Sequence, residues 1–175
     1  MSDPVPTRDR LLDAMAAHVL AHGLNDASLR PLARAAGTSD RMLIYHFGSK
    51  DGLTTALLEH LGARFAALLD QSLRPGSFAT EGEALREILV LMRSDRAAGF
   101  QRVWFDILAG SARGSIAHRA TGGLILRGLH DWLTARLPHK DNAARLLIQI
   151  EGLLIATELG ADDLVAQALS DMAQD

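Results

Sequence analysis

The feature that most constrains this chain is a recurring three-and-four spacing of apolar residues, with glycines between the runs. Leu11, Leu12, Met15, Val19 and Leu20 share one face at a period of 3.6. Leu53, Leu57, Leu58, Leu61, Phe65 and Leu68 repeat the pattern. Ala and Leu dominate the long segments, and runs of β-branched residues, which favour strands, are nearly absent. The expectation is therefore an all-α protein of about nine helices, three of them in an N-terminal head.

Punctuation residues divide the chain. A first helix is predicted from Thr7 to Ala21, stopped by Gly23. Ser28 is placed to cap a short second helix over Leu29–Ala36, and Ser39 a third over Asp40–His46, with Gly37 in the turn between them. Asp40 suits the positive end of the third helix dipole. Gly48 and Ser49 then break the chain before a long fourth helix from Lys50 or Asp51 to Leu69. Arg74–Thr80, with Pro75 and Gly76, reads as a connection. Further helices are expected at Glu81–Arg96, Gly99–Ala109, Ser115–Leu137, Asp141–Leu159 and Asp162–Ala173. Gly122 and Gly123 leave it open whether the seventh helix is continuous, and Asp141 or Asn142 is expected to help start the eighth.

Charge and composition narrow the function. Residues 1–50 hold six Lys or Arg and five Asp or Glu, a net +1, whereas residues 51–175 hold twelve and sixteen, a net −4. The total of −3 leaves little bulk attraction for nucleic acid, so any DNA footprint has to be focused on a few side chains. The 48% of hydrophobic residues can fill a substantial core. With no cysteine there is no disulfide scaffold and no thiolate metal cluster, which fits a cytoplasmic protein. The N-terminus lacks a secretion pattern, and no apolar run approaches the roughly 20 residues that cross a bilayer, so no membrane association is expected.

Ser28–Phe47 holds the arrangement with a chemical purpose. Two short helices joined by a tight turn suit the major groove, which is about 12 Å wide and admits a helix. Leu32, Ala36 and Leu43 can lock the pair, leaving Thr38, Ser39, Asp40, Arg41, Met42, Tyr45 and His46 outside the packed face. Periodicity alone would equally suit a generic helical domain.

From Arg10 to Leu53 the chain resembles the tetracycline-repressor-like (TetR/AcrR) transcriptional regulators. The resemblance rests on Ala17, Gly23, Ser28, Leu32, Ala33, Ala36 and Gly37. It rests above all on the string Tyr45–His46–Phe47–Gly48–Ser49–Lys50–Asp51–Gly52–Leu53, which is similar to the family's aromatic–His–Phe–x–Ser–Lys–acidic–x–Leu ending. It implies a helix-turn-helix DNA-binding domain over 1–52 and a helical ligand-binding and dimerisation domain over 53–175. It also implies DNA contacts by Ser28, Thr38, Ser39, Arg41, Met42, Tyr45, His46 and Lys50, with Phe47 in the core. Arg41 is the candidate for direct readout of guanine, or else an exposed arginine paired with Asp40. Arg30 and Arg34 are either backbone contacts or solvated. One departure stands out: Ile44 occupies a position where the family usually has tyrosine.

Over the rest of the chain the resemblance implies a homodimer on two-fold-related duplex DNA, built through the last two helices. Leu146, Ile150, Leu153, Leu154 and Thr157 are the expected dimerisation residues. Helices five to seven would enclose a cavity for a small apolar or amphipathic effector, with Phe65, Met92, Phe100, Trp104, Leu108, Leu126 and Gln149 as lining, or else as ordinary core. His18 and His22 share a helix face without the intervening glutamate of a metalloprotease motif, so neither metal nor cofactor is expected. No nucleophile motif or phosphate loop stands out. The expected function is a ligand-responsive repressor. A helical protein-interaction module and a small all-helical enzyme are the alternatives.

Overall fold

A computed structural model describes residues 7–24, 27–73 and 76–172, which hold nine α-helices, one short 3-10 turn and no strand. The helices are α1 (Arg8–His22), α2 (Leu29–Ala35), α3 (Asp40–Phe47), α4 (Lys50–Ser72), α5 (Glu81–Met92), α6 (Asp95–Ala112), α7 (Ile116–Thr134), α8 (Ala143–Glu158) and α9 (Asp162–Met172). The 3-10 turn, Lys140–Asn142, precedes α8. None of the helices among the described residues is long and apolar enough to cross a membrane. Arg74 and Pro75 of the expected connection, and the expected end at Ala173, lie outside the described residues.

The chain divides into two compact units. The first comprises Met1–Leu69 and Ala98–Ile125, and the second Asp70–Ala97 and Leu126–Asp175. In the first, Leu11, Leu12, Met15, Ala16 and Val19 of α1 meet Leu32 and Ala33 of α2, Leu43 and Phe47 of α3, and Leu53, Leu57 and Leu61 of α4. Val103 and Ile107 of α6 join the same core. Its edge is polar: the Arg102 guanidinium donates to the Leu20 and Ala21 carbonyls (3.1 and 2.9 Å), and Asp106 Oδ2 accepts the Leu24 N–H (2.7 Å). Arg102 thereby satisfies carbonyls that the last turn of α1 leaves without helical partners.

In the second unit, α5 packs on α8 and α8 on α9. Trp132 Nε1 and the Arg136 guanidinium both donate to Asp70 Oδ1 (2.8 and 2.7 Å), while Arg136 also covers the Trp132 ring at 4.2 Å. Glu81 at the start of α5 accepts from both Asn142 and Arg145.

Several boundaries differ from those the sequence suggests. Helix α5 ends at Met92, where Ser94 Oγ donates back to the Leu91 carbonyl, and α6 starts at Asp95 instead of Gly99. Gly99 lies inside α6 because it faces the α1 backbone: a Cβ there would stand 2.7 Å from the Leu20 carbonyl oxygen. Helix α7 runs unbroken through Gly122 and Gly123. Gly122 faces Ile107 of α6, where a Cβ would lie 3.3 Å from Cγ2, so this glycine admits close packing and does not end the helix. Asn142 precedes α8 without a side-chain cap, its amide being engaged by Glu81.

Candidate nucleic-acid interface

The turn between α2 and α3 is a Schellman closure. Thr38 N–H donates to the Ala33 carbonyl (2.9 Å) and Gly37 N–H to that of Arg34 (3.1 Å). Gly37 has φ +64°, the left-handed region that a side chain disfavours. Ser39 Oγ then accepts the Met42 N–H (3.2 Å), fixing the first turn of α3. At the far end, Gly48 N–H closes on the Ile44 carbonyl (2.8 Å), and Ser49 Oγ accepts the Gly52 N–H (3.0 Å) to start α4. Gly52 sits so close to α3 that a Cβ would approach the Phe47 carbonyl oxygen to 2.4 Å. The string following Tyr45 is thus a compact corner that sets where Lys50 emerges.

Leu43 and Phe47 anchor α3 inward, both buried. Ser39, Arg41, Tyr45 and Lys50 are exposed, Tyr45 to 78%, and Thr38, Met42 and His46 are half-buried. Arg41 and Tyr45 are four residues apart in α3 and share one outward face, while Thr38 lies in the turn just before the Ser39 cap. Ser28 takes the N-cap position of α2 in extended conformation, yet its side chain makes no cap bond and is exposed. Ile44 is half-buried.

Two contacts differ from the sequence reading. Asp40 pairs with Arg30 (3.9 Å), one helix back, not with Arg41, and Arg41 makes no ion pair among the described residues. An α-helix turns about 100° per residue, so neighbours in sequence diverge, whereas Arg30 comes across from α2. The Nε2 atom of His46 is buried and lacks a hydrogen-bond partner, and its ring meets Tyr45 edge-on at 5.4 Å. Sequence reasoning also missed Arg8, whose guanidinium carbon lies 5.0 Å from the centroid of the Phe47 ring. Only knowledge that the first turn of α1 meets the last turn of α3 could have found it.

The expected dimerisation residues fall mostly inward. Leu146, Ile150, Leu153 and Leu154 are buried within the chain itself, and half-buried Thr157 donates from Oγ1 to the Leu153 carbonyl (2.9 Å). The outward side of α8 carries Ile148, Gly152, Ile155 and Leu159, with Ile148 67% and Leu159 79% exposed; Leu164 of α9 is exposed too. A Cβ added at Gly152 would meet nothing within 4 Å.

Of the expected effector-lining residues, Phe65 and Phe100 stack at an angle in the first unit, 5.3 Å apart. Trp104 lies against Gly122, and Leu108 is half-buried. In the second unit Met92 is buried, Leu126 is half-buried and Gln149 is half-buried. That unit also carries an open groove of about 400 Å³ walled by Leu73, Arg86, Val90, Leu91 and Arg96, none of them expected from sequence. His18 and His22 stack 4.4 Å apart. Among the described residues no group of three or more His, Cys, Asp or Glu is placed to hold a metal ion.

Residues 11–57 match the family described as bacterial regulatory proteins, tetR family. Over 86 residues the chain is 33% identical to the HTH-type transcriptional repressor NicS of Pseudomonas putida, a match that covers 49% of this chain and 40% of NicS. Over 165 residues it is 27% identical to the HTH-type transcriptional repressor KstR2 of Mycolicibacterium smegmatis, covering 77% of this chain and 80% of KstR2. The chain thus spans well under two thirds of NicS but most of KstR2. Among solved structures, the multidrug binding protein EbrR complexed with imidazole superposes with a TM-score of 0.69 at 22% identity, covering 97% of this chain and 95% of that one. At that identity the likeness concerns the fold.

Proposed function

We propose that this chain, whose residues 11–57 match the tetR family of bacterial regulatory proteins, is a homodimeric, ligand-responsive transcriptional repressor of that family acting in the cytoplasm. The observation that carries the DNA-binding reading is the outward face of α3, Arg41 and Tyr45, fixed at one end by the Ser39 cap and at the other by the corner leading to Lys50. Residues 1–52 do the reading, and residues 53–175 bind the effector and the partner subunit.

Within the head the roles separate by chemistry. Arg41, unengaged by Asp40, reads a base edge, with guanine O6 and N7 as its natural bidentate acceptors. Lys50 holds a phosphate beside the α4 N-terminus, and Ser28, Thr38, Ser39 and Tyr45 take the groove walls. Met42 offers an apolar contact. His46, with Nε2 turned inward, supports Tyr45 and does not itself reach a phosphate. Direct contacts matter here because residues 1–50 carry a net charge of only +1.

The second copy docks on the outer stripe of α8, Ile148–Gly152–Ile155–Leu159, extended by Leu164. This stripe replaces the inward residues in the dimer role. Its four positions are spaced by four, three and four, the repeat of a helix-packing seam, and Gly152 leaves room for a partner helix to approach. Two-fold pairing sets two recognition helices about one DNA turn apart, roughly 34–36 Å. A small apolar or amphipathic effector would bind within the first unit, against Phe65, Phe100, Trp104 and Leu108. EbrR, which shares the fold, is a multidrug binding protein, and such a ligand is in keeping with that. An effector that favours one head spacing over another shifts DNA affinity, and DNA must shift effector affinity by the same factor.

The test is anisotropy-detected binding to genomic fragments at several salt concentrations. Arg41→Ala should relax sequence preference by about 1–3 kcal/mol, and Lys50→Ala should weaken all fragments alike. Absence of any complex at low salt would overturn the reading. Ile155→Glu should turn a dimer into a monomer in light scattering, and a dimer that survives it refutes the α8 surface.

A further inference from the structure

Arg8 is the first residue of α1, exposed, and without an ion-pair partner among the described residues. Its guanidinium nevertheless has a defined seat, 5.0 Å above the ring of Phe47, the last residue of α3 and three positions before Lys50. A guanidinium stacked on an aromatic face keeps its in-plane N–H donors free at the rim, and their planar fork matches two oxygens of a phosphate. Holding the side chain in advance also lowers the ordering cost of binding an anion.

The surrounding charges give this seat its importance. Arg30 is engaged by Asp40, residues 1–50 carry only +1, and the acidic side chain adjacent in sequence, Asp9, forms no pair with Arg8 among the described residues. A cation fixed beside the end of the recognition helix, and without a carboxylate partner among the described residues, is poised for an external anion. We propose that Arg8 is a phosphate-binding residue of the DNA interface, presented by the Phe47 ring and acting beside Lys50. The inference rests on the reading of this chain as a DNA-binding dimer and adds a contact from α1, outside the helix-turn-helix itself.

The experiment measures binding of the full chain to a labelled mixed-sequence duplex as salt is raised. Each phosphate neutralised contributes about 0.9 to the slope of log K against log salt, so Arg8→Gln should flatten the slope by about 1.8 for a dimer. Between 50 and 200 mM salt the wild-type advantage should then shrink about tenfold. Arg8→Met, which keeps a stem against the ring, should do the same, whereas Arg8→Lys should keep the slope while binding more weakly. Circular dichroism on each variant checks that helix content is preserved. If wild type binds steeply and both neutral variants match its slope, Arg8 only packs on Phe47 and the inference is overturned. If wild type itself does not bind duplex at 50 mM salt, the DNA-binding reading fails first.

Discussion

Replacing Asp106 by alanine removes the acceptor that ties α6 to the segment after α1. Its Oδ2 takes the Leu24 N–H at 2.7 Å, and one turn earlier Arg102 holds the Leu20 and Ala21 carbonyls. A hydrogen bond to an ionised group contributes a net of about 1.5–3 kcal/mol. Asp106 and Leu24 are both half-buried, so water can replace part of the bond and the lower end, about 1.5 kcal/mol, applies. For a chain of this size roughly 2–4 °C accompanies each kcal/mol, so the midpoint of thermal unfolding should fall by about 3–6 °C. Asp106→Asn keeps an acceptor oxygen in place without the charge and should lose less than half as much. Far-UV circular dichroism during heating measures both, and amide exchange at Leu24 should accelerate in the alanine variant. Equal losses in the two variants, or unchanged exchange at Leu24, would refute the claim that this bond secures the end of α1.

Gly99→Ala should destabilise by about 1–3 kcal/mol, because the new Cβ would stand 2.7 Å from a backbone oxygen that cannot rotate away. Gly62→Ala in α4, where a Cβ meets nothing within 4 Å, should instead stabilise by about 0.5–1 kcal/mol through helix propensity; thermal melts of the two variants should move in opposite directions. Ser39→Ala should cost about 0.5–2 kcal/mol by deleting the α3 cap. Ser28→Ala should be nearly neutral in stability, since its hydroxyl makes no cap bond, and urea titration of the pair separates the two serines.

The head was legible because its determinants are local. Ser39 and Ser49 cap within three residues of themselves, Gly37 closes a six-residue motif, and Leu32, Leu43 and Leu53 declare their faces by spacing. What stayed hidden depends on contacts between segments far apart in sequence. Ser28 has the composition and backbone of a cap, yet its hydroxyl does not take the bond. Gly122 reads as a break until Ile107 of α6 is known to lie against it. Asp40 seems to belong with Arg41 until α2 brings Arg30 across. Arg8 carries no signal in its own segment, because its partner ring lies at the far end of α3.

Helix α8 shows why periodicity identifies a helix more readily than it identifies a partner. It is apolar on more than one side: Leu146, Leu147, Ile150, Leu153 and Leu154 form one stripe, and Ile148, Ile155 and Leu159 form another. The inward stripe is the richer in leucine and so dominates any sequence reading of an interface. The chain's own packing consumes that stripe and leaves the weaker-looking one exposed. Large apolar side chains aligned at helical spacing around an open glycine are costly to leave in water, since each gains about 1.5–3 kcal/mol of transfer free energy when fully covered. On the dimer proposed above, a partner would therefore meet the stripe the folded subunit cannot hide, while the most hydrophobic stripe is taken up by the subunit's own core.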